Sequence, residues 1–153
     1  MRRGTDPALA CRAARFSDGR PGIAIGFVDD PATLDAVAGS RAEFAAAASG
    51  GIIERFAFVD RRIPPKLPFQ ESLDRARETL DLACAVLHEA FTTAWGAGGG
   101  TADDPAAAAL ATRFGTKGCG VALDLAVSLK SYLDANVAPR AVLERFMAAL
   151  PAA

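Results

Sequence analysis

Three aspartates in the first half of the chain are the residues best placed to do chemistry. Asp29 and Asp30 directly follow residues 22–28, and Asp60 directly follows residues 52–59, two segments with the apolar pattern of buried strands. If the strands are parallel neighbours, their carboxyl ends meet at one edge of a sheet, where open α/β folds bind ligands. Carboxylate oxygens are ligands that Mg²⁺ favours. The spacing therefore predicts a magnesium site at Asp29, Asp30 and Asp60.

The sequence around these aspartates resembles the receiver domain of response regulators. The string Phe27-Val28-Asp29-Asp30 is similar to the acidic pair of that family, and Asp60 with the proline four residues later is similar to its phosphorylated aspartate. The resemblance implies that the acidic pair binds Mg²⁺ and that Asp60 accepts a phosphoryl group. It covers residues 22–64, with a shorter spacing between Asp30 and Asp60 than receivers have. The other interpretation is structural, in which Asp30 caps a helix and Asp60 ends a strand in solvent.

Other reactive side chains occur singly or in pairs. The glycine-rich segment 115–120 precedes a predicted helix but lacks the phosphate-loop spacing, and we interpret it as a tight turn between helices. Cys119 stands near that helix start beside Lys117, which favours the thiolate. Cys84 and the only histidine, His88, are four residues apart and share a helix face. None of these has a third group to orient or activate it, so we predict no catalytic residue.

The dipeptide Asp-Pro marks three helix starts, at Asp6, Asp30 and Asp104. The aspartate side chain accepts hydrogen bonds from free N–H groups of the first turn, and proline at the next position loses nothing because its N–H would be unpaired there. We therefore predict helices over 7–16 and 31–48, and a third that begins near residue 104.

The longest helical pattern covers residues 70–95 and carries one continuous apolar stripe. Such a stripe must be buried, and shorter helices are not expected to cover all of it. We predict that its uncovered part forms a homodimer or partner surface. The interface residues predicted on the stripe are Leu73, Leu80, Leu87, Phe91 and Trp95.

In the last third of the chain, the spacing of apolar residues predicts helices over 104–114, 119–134 and 139–149. In the middle one, the residues expected on the inner face are Val121, Leu125, Leu129 and Tyr132.

The fold predicted from these elements is α+β and predominantly α. A short two-strand β element, of the βαβ kind if the strands pair, precedes a four-helix, bundle-like second half. The 153 residues form one domain, with an α/β-like part over 1–60, a proline-rich connector over 61–69 and a helical part over 70–153. The connector contains the spacing Arg62-x-x-Pro65-x-x-Pro68, typical of polyproline II ligands, which we interpret as an extended spacer.

Composition narrows the classes of function. Seventeen basic and eighteen acidic side chains give a net charge of −1, so the chain has no overall positive electrostatic potential that would attract nucleic acid. No apolar run is long enough to predict a membrane span. Three widely separated cysteines indicate a reducing cytoplasm. We therefore predict a small cytoplasmic, non-enzymatic accessory or protein-interaction protein that self-associates, with no cofactor and no membrane or nucleic-acid partner. The alternative is a Mg²⁺-dependent, phosphoryl-accepting signalling module that uses Asp29, Asp30 and Asp60.

Overall fold

The computed structural model describes residues 6–17, 19–96 and 104–151, and 84% of these residues are helical. No β-strand occurs among them, so the predicted α+β class with its two-strand element is wrong. The described part of the chain is all-α.

Seven helices make up this part of the chain. Their bounds are α1 Pro7–Phe16, α2 Pro21–Asp29, α3 Pro31–Ser49, α4 Ile52–Arg62, α5 Phe69–Ala94, α6 Pro105–Asp134 and α7 Pro139–Ala149. The first helix, the helix after Asp30, the long helix and the last helix are thus confirmed close to their predicted bounds. α6 is interrupted at Gly115, whose φ of 61° and ψ of −178° are not helical, so the two helices predicted around the glycine-rich segment form its halves. The predicted turn is shorter than expected, because residues 116–120 are helical.

The three Asp-Pro starts are confirmed. The side chain of Asp6 accepts a hydrogen bond from the amide of Ala8 at 3.1 Å. The Asp30 carboxylate accepts one from the amide of Ala32 at 3.2 Å, and Asp104 accepts one from that of Ala106 at 3.0 Å. In each case the carboxylate pairs an amide that the first turn leaves without a helical partner.

Both segments predicted as strands are helices. Residues 22–28 lie in α2, where Phe27 is buried but Ile25 is 62% exposed, so the two-residue alternation does not mark a buried face. In α4 the buried residues Arg55, Phe58 and Val59 have the spacing of one side of a helix. β-branched and aromatic residues favour strands only where a neighbouring strand gives them a surface to pack on. Here the packing partners are helices.

The chain divides into two compact units, residues 1–40 and residues 41–153, with the division inside α3. In the first unit α1 packs against α2, and the buried apolar side chains are those of Ala13, Phe27 and Leu34. This core is small, since it contains only these three buried apolar side chains among the described residues of the unit.

In the second unit α5 and α6 are antiparallel neighbours. Arg77 of α5 forms an ion pair with Asp134 of α6 at 3.0 Å. Further along α5, the ring of Phe91 lies against Gly120, where a Cβ would be 3.4 Å from the ring atom Cε2. Residue numbers rise along α5 while they fall along α6, which fixes the direction of the pair.

The core of the second unit centres on three phenylalanines from three helices. Phe44 of α3 lies 6.1 Å from Phe58 of α4 and 6.2 Å from Phe146 of α7, measured between ring centroids. All three side chains are fully buried. At these separations the rings attract each other beyond the effect of area burial.

The inner face of the second half of α6 differs from the prediction. Leu129 is buried as expected and Leu125 is partly buried, but Val121 and Tyr132 are exposed. The buried positions of this half are instead Cys119, Ala122, Ala126, Leu129 and Leu133. Small side chains let neighbouring helices approach closely, because interaxial distance depends on the residues at the contact.

The proline-rich connector is folded rather than extended. Between α4 and α5, the amide of Leu67 donates a hydrogen bond to the carbonyl of Pro64 at 3.0 Å, which closes a turn. Arg140 of α7 donates to the carbonyl of Ile63 at 3.1 Å. The interpretation of this segment as an extended spacer is therefore wrong.

Among the described helices, none combines the length and the apolar character needed to cross a bilayer.

Candidate functional site

The three aspartates of the predicted magnesium site occupy helix ends and a helix surface. Asp29 is exposed at the end of α2. Asp30 accepts a hydrogen bond from the Thr33 hydroxyl at 2.6 Å, which lowers the pKa of that carboxyl. Asp60 lies on α4 and is paired with Arg140. The helix-capping interpretation of Asp30 is confirmed, while the sheet edge on which the magnesium prediction depended is absent from the described residues.

The thiols and the histidine do not form a reactive set. Cys84 is half-buried and His88 is exposed on α5, and burial raises the pKa of the Cys84 thiol while Lys130 opposes that shift. Cys119 is fully buried, and desolvation raises its pKa, opposite to the thiolate expected at a helix start. Within the described ranges no three His, Cys, Asp or Glu side chains are arranged to hold a metal ion.

Sequence reasoning missed the buried arginines that join the helices of the second unit. Arg41 of α3 is 4% exposed, and its Nε donates a hydrogen bond to Asp104 Oδ2 at 2.7 Å. The same guanidinium pairs with Glu89 of α5 through Nη2. A buried cation requires such partners because its desolvation is costly. The signal in the sequence was an arginine just before an alanine-rich helical run.

Arg55 of α4 binds main-chain carbonyls instead of carboxylates. Its Nη1 donates to the carbonyl of Leu150 at 2.9 Å, and its Nη2 donates to those of Ala48 and Pro151 at 2.9 and 2.8 Å. The acceptors lie near the C-terminal ends of α3 and α7, where helix carbonyls lack amide partners and the helix dipole favours a cation. Arg55 therefore ties two helix ends together and is a structural residue.

Two open grooves on the second unit show no catalytic arrangement. The larger is lined by Ser49, Ala108, Ala109, Thr112 and Arg113, and Arg113 donates a hydrogen bond to the Ser49 carbonyl at 3.3 Å. The other is lined by Glu43, Ala46, Ala47, Glu54, Ala57 and Arg61, of which Glu43 and Arg61 are ion-paired at 2.9 Å. Neither lining contains a histidine or a cysteine, so no general base stands beside a nucleophile there.

The apolar stripe of α5 is largely covered by the chain itself. Leu80 and Leu87 are fully buried, and Leu73 is 6% exposed. Phe91 is partly buried, and Trp95, which ends the helix, is 69% exposed. Of the five residues predicted as an interface, the accessible ones are therefore at the C-terminal end of the helix.

The exposed end of the stripe continues onto α6. The Phe91 and Trp95 rings are 5.9 Å apart between centroids, and Phe91 lies against Gly120. The next residue, Val121, is 56% exposed. We call Phe91, Trp95, Gly120 and Val121 the end patch. The indole and the phenyl ring lie together at the C-terminal end of α5, and the side chain of Val121 is exposed on the turn of α6 that contains Gly120.

A regular row of exposed residues runs along α6 beside the end patch. Lys117, Val121, Asp124 and Ser128 are all exposed, and their spacing of four, three and four residues puts them on one face of the helix. We call these four residues the outer seam. The spacing is present in the sequence, but the prediction of Val121 on the inner face of α6 concealed it.

Comparison of the chain with protein-family models, with curated proteins and with solved structures found no significant match.

Proposed function

We propose that this chain is a cytoplasmic protein-interaction module without enzymatic activity, and that it self-associates through the end patch. The observation that carries the proposal is the exposure of Trp95, at 69%, at the end of a stripe whose other leucines lie in the core. Tryptophan is among the residues most enriched at the energetic centres of protein interfaces. A large exposed indole loses more solvent contact on association than any other side chain of this surface.

The neighbours of Trp95 support an apolar contact. Phe91 packs beside the indole on one side, and Val121 follows Gly120, against which Phe91 lies. Burial of such side chains contributes roughly 25 cal/mol per Å² of apolar area removed from water. The three cysteines are widely separated in the sequence, a pattern typical of a reducing compartment.

Light scattering after size-exclusion chromatography, over a series of protein concentrations, tests the proposal. We expect the mass to rise from that of one chain, 15.8 kDa, toward twice that value as concentration increases. Trp95 is the only tryptophan, so its emission reports on the patch directly, and we expect a shift to shorter wavelength in the same concentration range. A mass that stays at 15.8 kDa with an unchanged spectrum would contradict self-association.

A matched pair of variants separates the end patch from general surface apolarity. Phe69 is an aromatic residue at the other end of α5 and is 51% exposed. We expect Trp95→Ser to weaken association at least tenfold, since truncation of an interface tryptophan commonly removes about 2 kcal/mol or more. Phe69→Ser should leave association unchanged. Equal effects of the two substitutions on association would show that the interface is not at the end patch.

A further inference from the structure

We propose that two copies of this chain pair in an antiparallel arrangement along the outer seam of α6, with Lys117 of each copy against Asp124 of the other. The proposal rests on the self-association proposed above and specifies its geometry. It commits to a second copy of this chain as the occupant of the surface.

The two charges of the seam are not used within the chain. Within the described residues, neither the Lys117 ammonium nor the Asp124 carboxylate takes part in a hydrogen bond or an ion pair. The two residues are seven positions apart on a continuous helix, about 10 Å along its axis. That separation is too long for them to pair with each other. Their partners must therefore come from another molecule or from solvent.

The order of the charges makes the seam complementary to itself. In an antiparallel pair related by a two-fold axis between Gly120 and Val121, Lys117 of one copy lies opposite Asp124 of the other, and the second pair is equivalent. A parallel pair in register would instead place lysine against lysine and aspartate against aspartate. The seam thus selects one direction of pairing.

Residues at the centre of the pair are compatible with close contact. Val121 of the two copies would meet beside the axis, because the axis passes between positions 120 and 121. Apolar contact at the centre with charges on either side is the usual organisation of paired helices. Phe91, whose ring neighbours that of Trp95, packs on Gly120 at the flank of this contact. The outer seam and the end patch share Val121.

Charge exchange tests the arrangement. In Lys117→Asp alone, two attractive contacts of the dimer become contacts between aspartates, and in Asp124→Lys alone they become contacts between lysines. We expect each single variant to raise the dimer dissociation constant roughly tenfold, given two exposed ion pairs each lost and replaced by repulsion. The double variant, Lys117→Asp with Asp124→Lys, restores both attractive pairs and should dimerise within about threefold of the natural chain.

The decisive sample is an equimolar mixture of the two single variants. One copy then carries two aspartates and the other two lysines, so a mixed dimer has both pairs attractive although each variant alone has none. We expect the mixture to associate as well as the natural chain. Glu78→Lys, an exposed position on α5 with the same change in charge as Asp124→Lys, is the control and should leave the constant unchanged. Circular dichroism of every variant confirms that it is folded.

The outcomes distinguish this pairing from the broader proposal. If the natural chain is monomeric at every concentration, both proposals are overturned. If it dimerises but the single variants dimerise equally well, self-association stands and the antiparallel seam is overturned. A mixture no stronger than its components also overturns the seam, because reciprocal pairing requires rescue.

Discussion

The guanidinium of Arg41 and the carboxylate of Asp104 form a buried ion pair across 63 residues of sequence, with Nε to Oδ2 at 2.7 Å. Asp104 also caps α6 through its other oxygen, so one carboxylate both starts that helix and attaches it to α3. Each residue is less than 5% exposed. The pair therefore fixes where α6 begins relative to α3.

Removing the cation of this pair should destabilise the protein strongly. Arg41→Met leaves the carboxylate of Asp104 buried without its charge partner, and we expect a loss of about 3 to 5 kcal/mol in the free energy of unfolding. Arg77→Met breaks the exposed pair with Asp134 and should cost less than about 1 kcal/mol. Urea denaturation of both variants measures the difference, and equal losses would show that the buried pair has no special role.

A substitution of Arg55 measures how much a cation bound by main-chain carbonyls contributes to the free energy of unfolding. Arg55→Lys keeps the charge but loses the planar fork that donates to Leu150, Ala48 and Pro151 at once. We expect a destabilisation of about 2 to 3 kcal/mol, because at least one buried acceptor loses its partner. Arg61→Lys, at an exposed position of the same helix, is the control. An Arg55→Lys variant as stable as the control would show that the hydrogen bonds of Arg55 to the ends of α3 and α7 do not stabilise the protein.

Two glycines should respond to alanine in opposite directions. Gly115 has a φ of 61° and nothing near its Cβ position, so Gly115→Ala meets no steric clash but strains the backbone, by about 1 to 3 kcal/mol. Gly39 lies inside α3 with open space around it, and Gly39→Ala should stabilise by about 0.5 to 1 kcal/mol. Thermal unfolding checks the signs. Stabilisation by alanine at residue 115 would mean that α6 is not interrupted there.

The three thiols should react in the order of their exposure. Cys11 is exposed, Cys84 is partly buried and Cys119 is buried. A thiol reagent at neutral pH should label Cys11 quickly, Cys84 slowly and Cys119 only after unfolding, since burial raises the pKa of the last two. Cys11→Ser should remove the fast phase. A fast phase that remains would show that a buried thiol is reactive.

The same thiols set the sign of a pH effect. Burial raises the pKa of Cys84 and Cys119 above the value in the unfolded chain, so the folded state holds these protons more tightly. Their contribution to stability is complete below the unfolded thiol pKa, about 8.5, and is lost as pH rises through the folded values. We expect the urea midpoint to fall in alkaline solution, and less so in a Cys84→Ser, Cys119→Ala variant. A midpoint that rises there would contradict the shift.

The three helix starts at Asp-Pro were predictable because their causes are local. At Asp6, Asp30 and Asp104 the capping oxygen and the amide that it accepts are two residues apart, so no distant contact is needed. The break at Gly115 is also local, since a positive φ favours glycine. The long helix over Phe69–Ala94 follows from a periodicity sustained over many turns.

The two strand predictions failed because short apolar runs do not distinguish a buried helix from a strand. Residues 52–59 fit both patterns, and what decided between them was the position of the partners. Arg55, Phe58 and Val59 find their contacts on one side of a helix, including carbonyls about a hundred residues away in sequence. The magnesium prediction depended on the same strands. It has no support from the fold.

The sequence by itself determined where most helices begin, where α6 breaks and that the stripe of α5 would be buried, because these features depend on residues a few positions apart. Only the tertiary structure decided that the chain is all-α in its described part, that the leucines of the stripe face the core while Trp95 faces solvent, and that alanines rather than Val121 fill the inner face of α6. Those outcomes depend on how closely helices far apart in sequence approach one another. Periodicity identifies an apolar side, but only packing selects which side chains are small enough to occupy it.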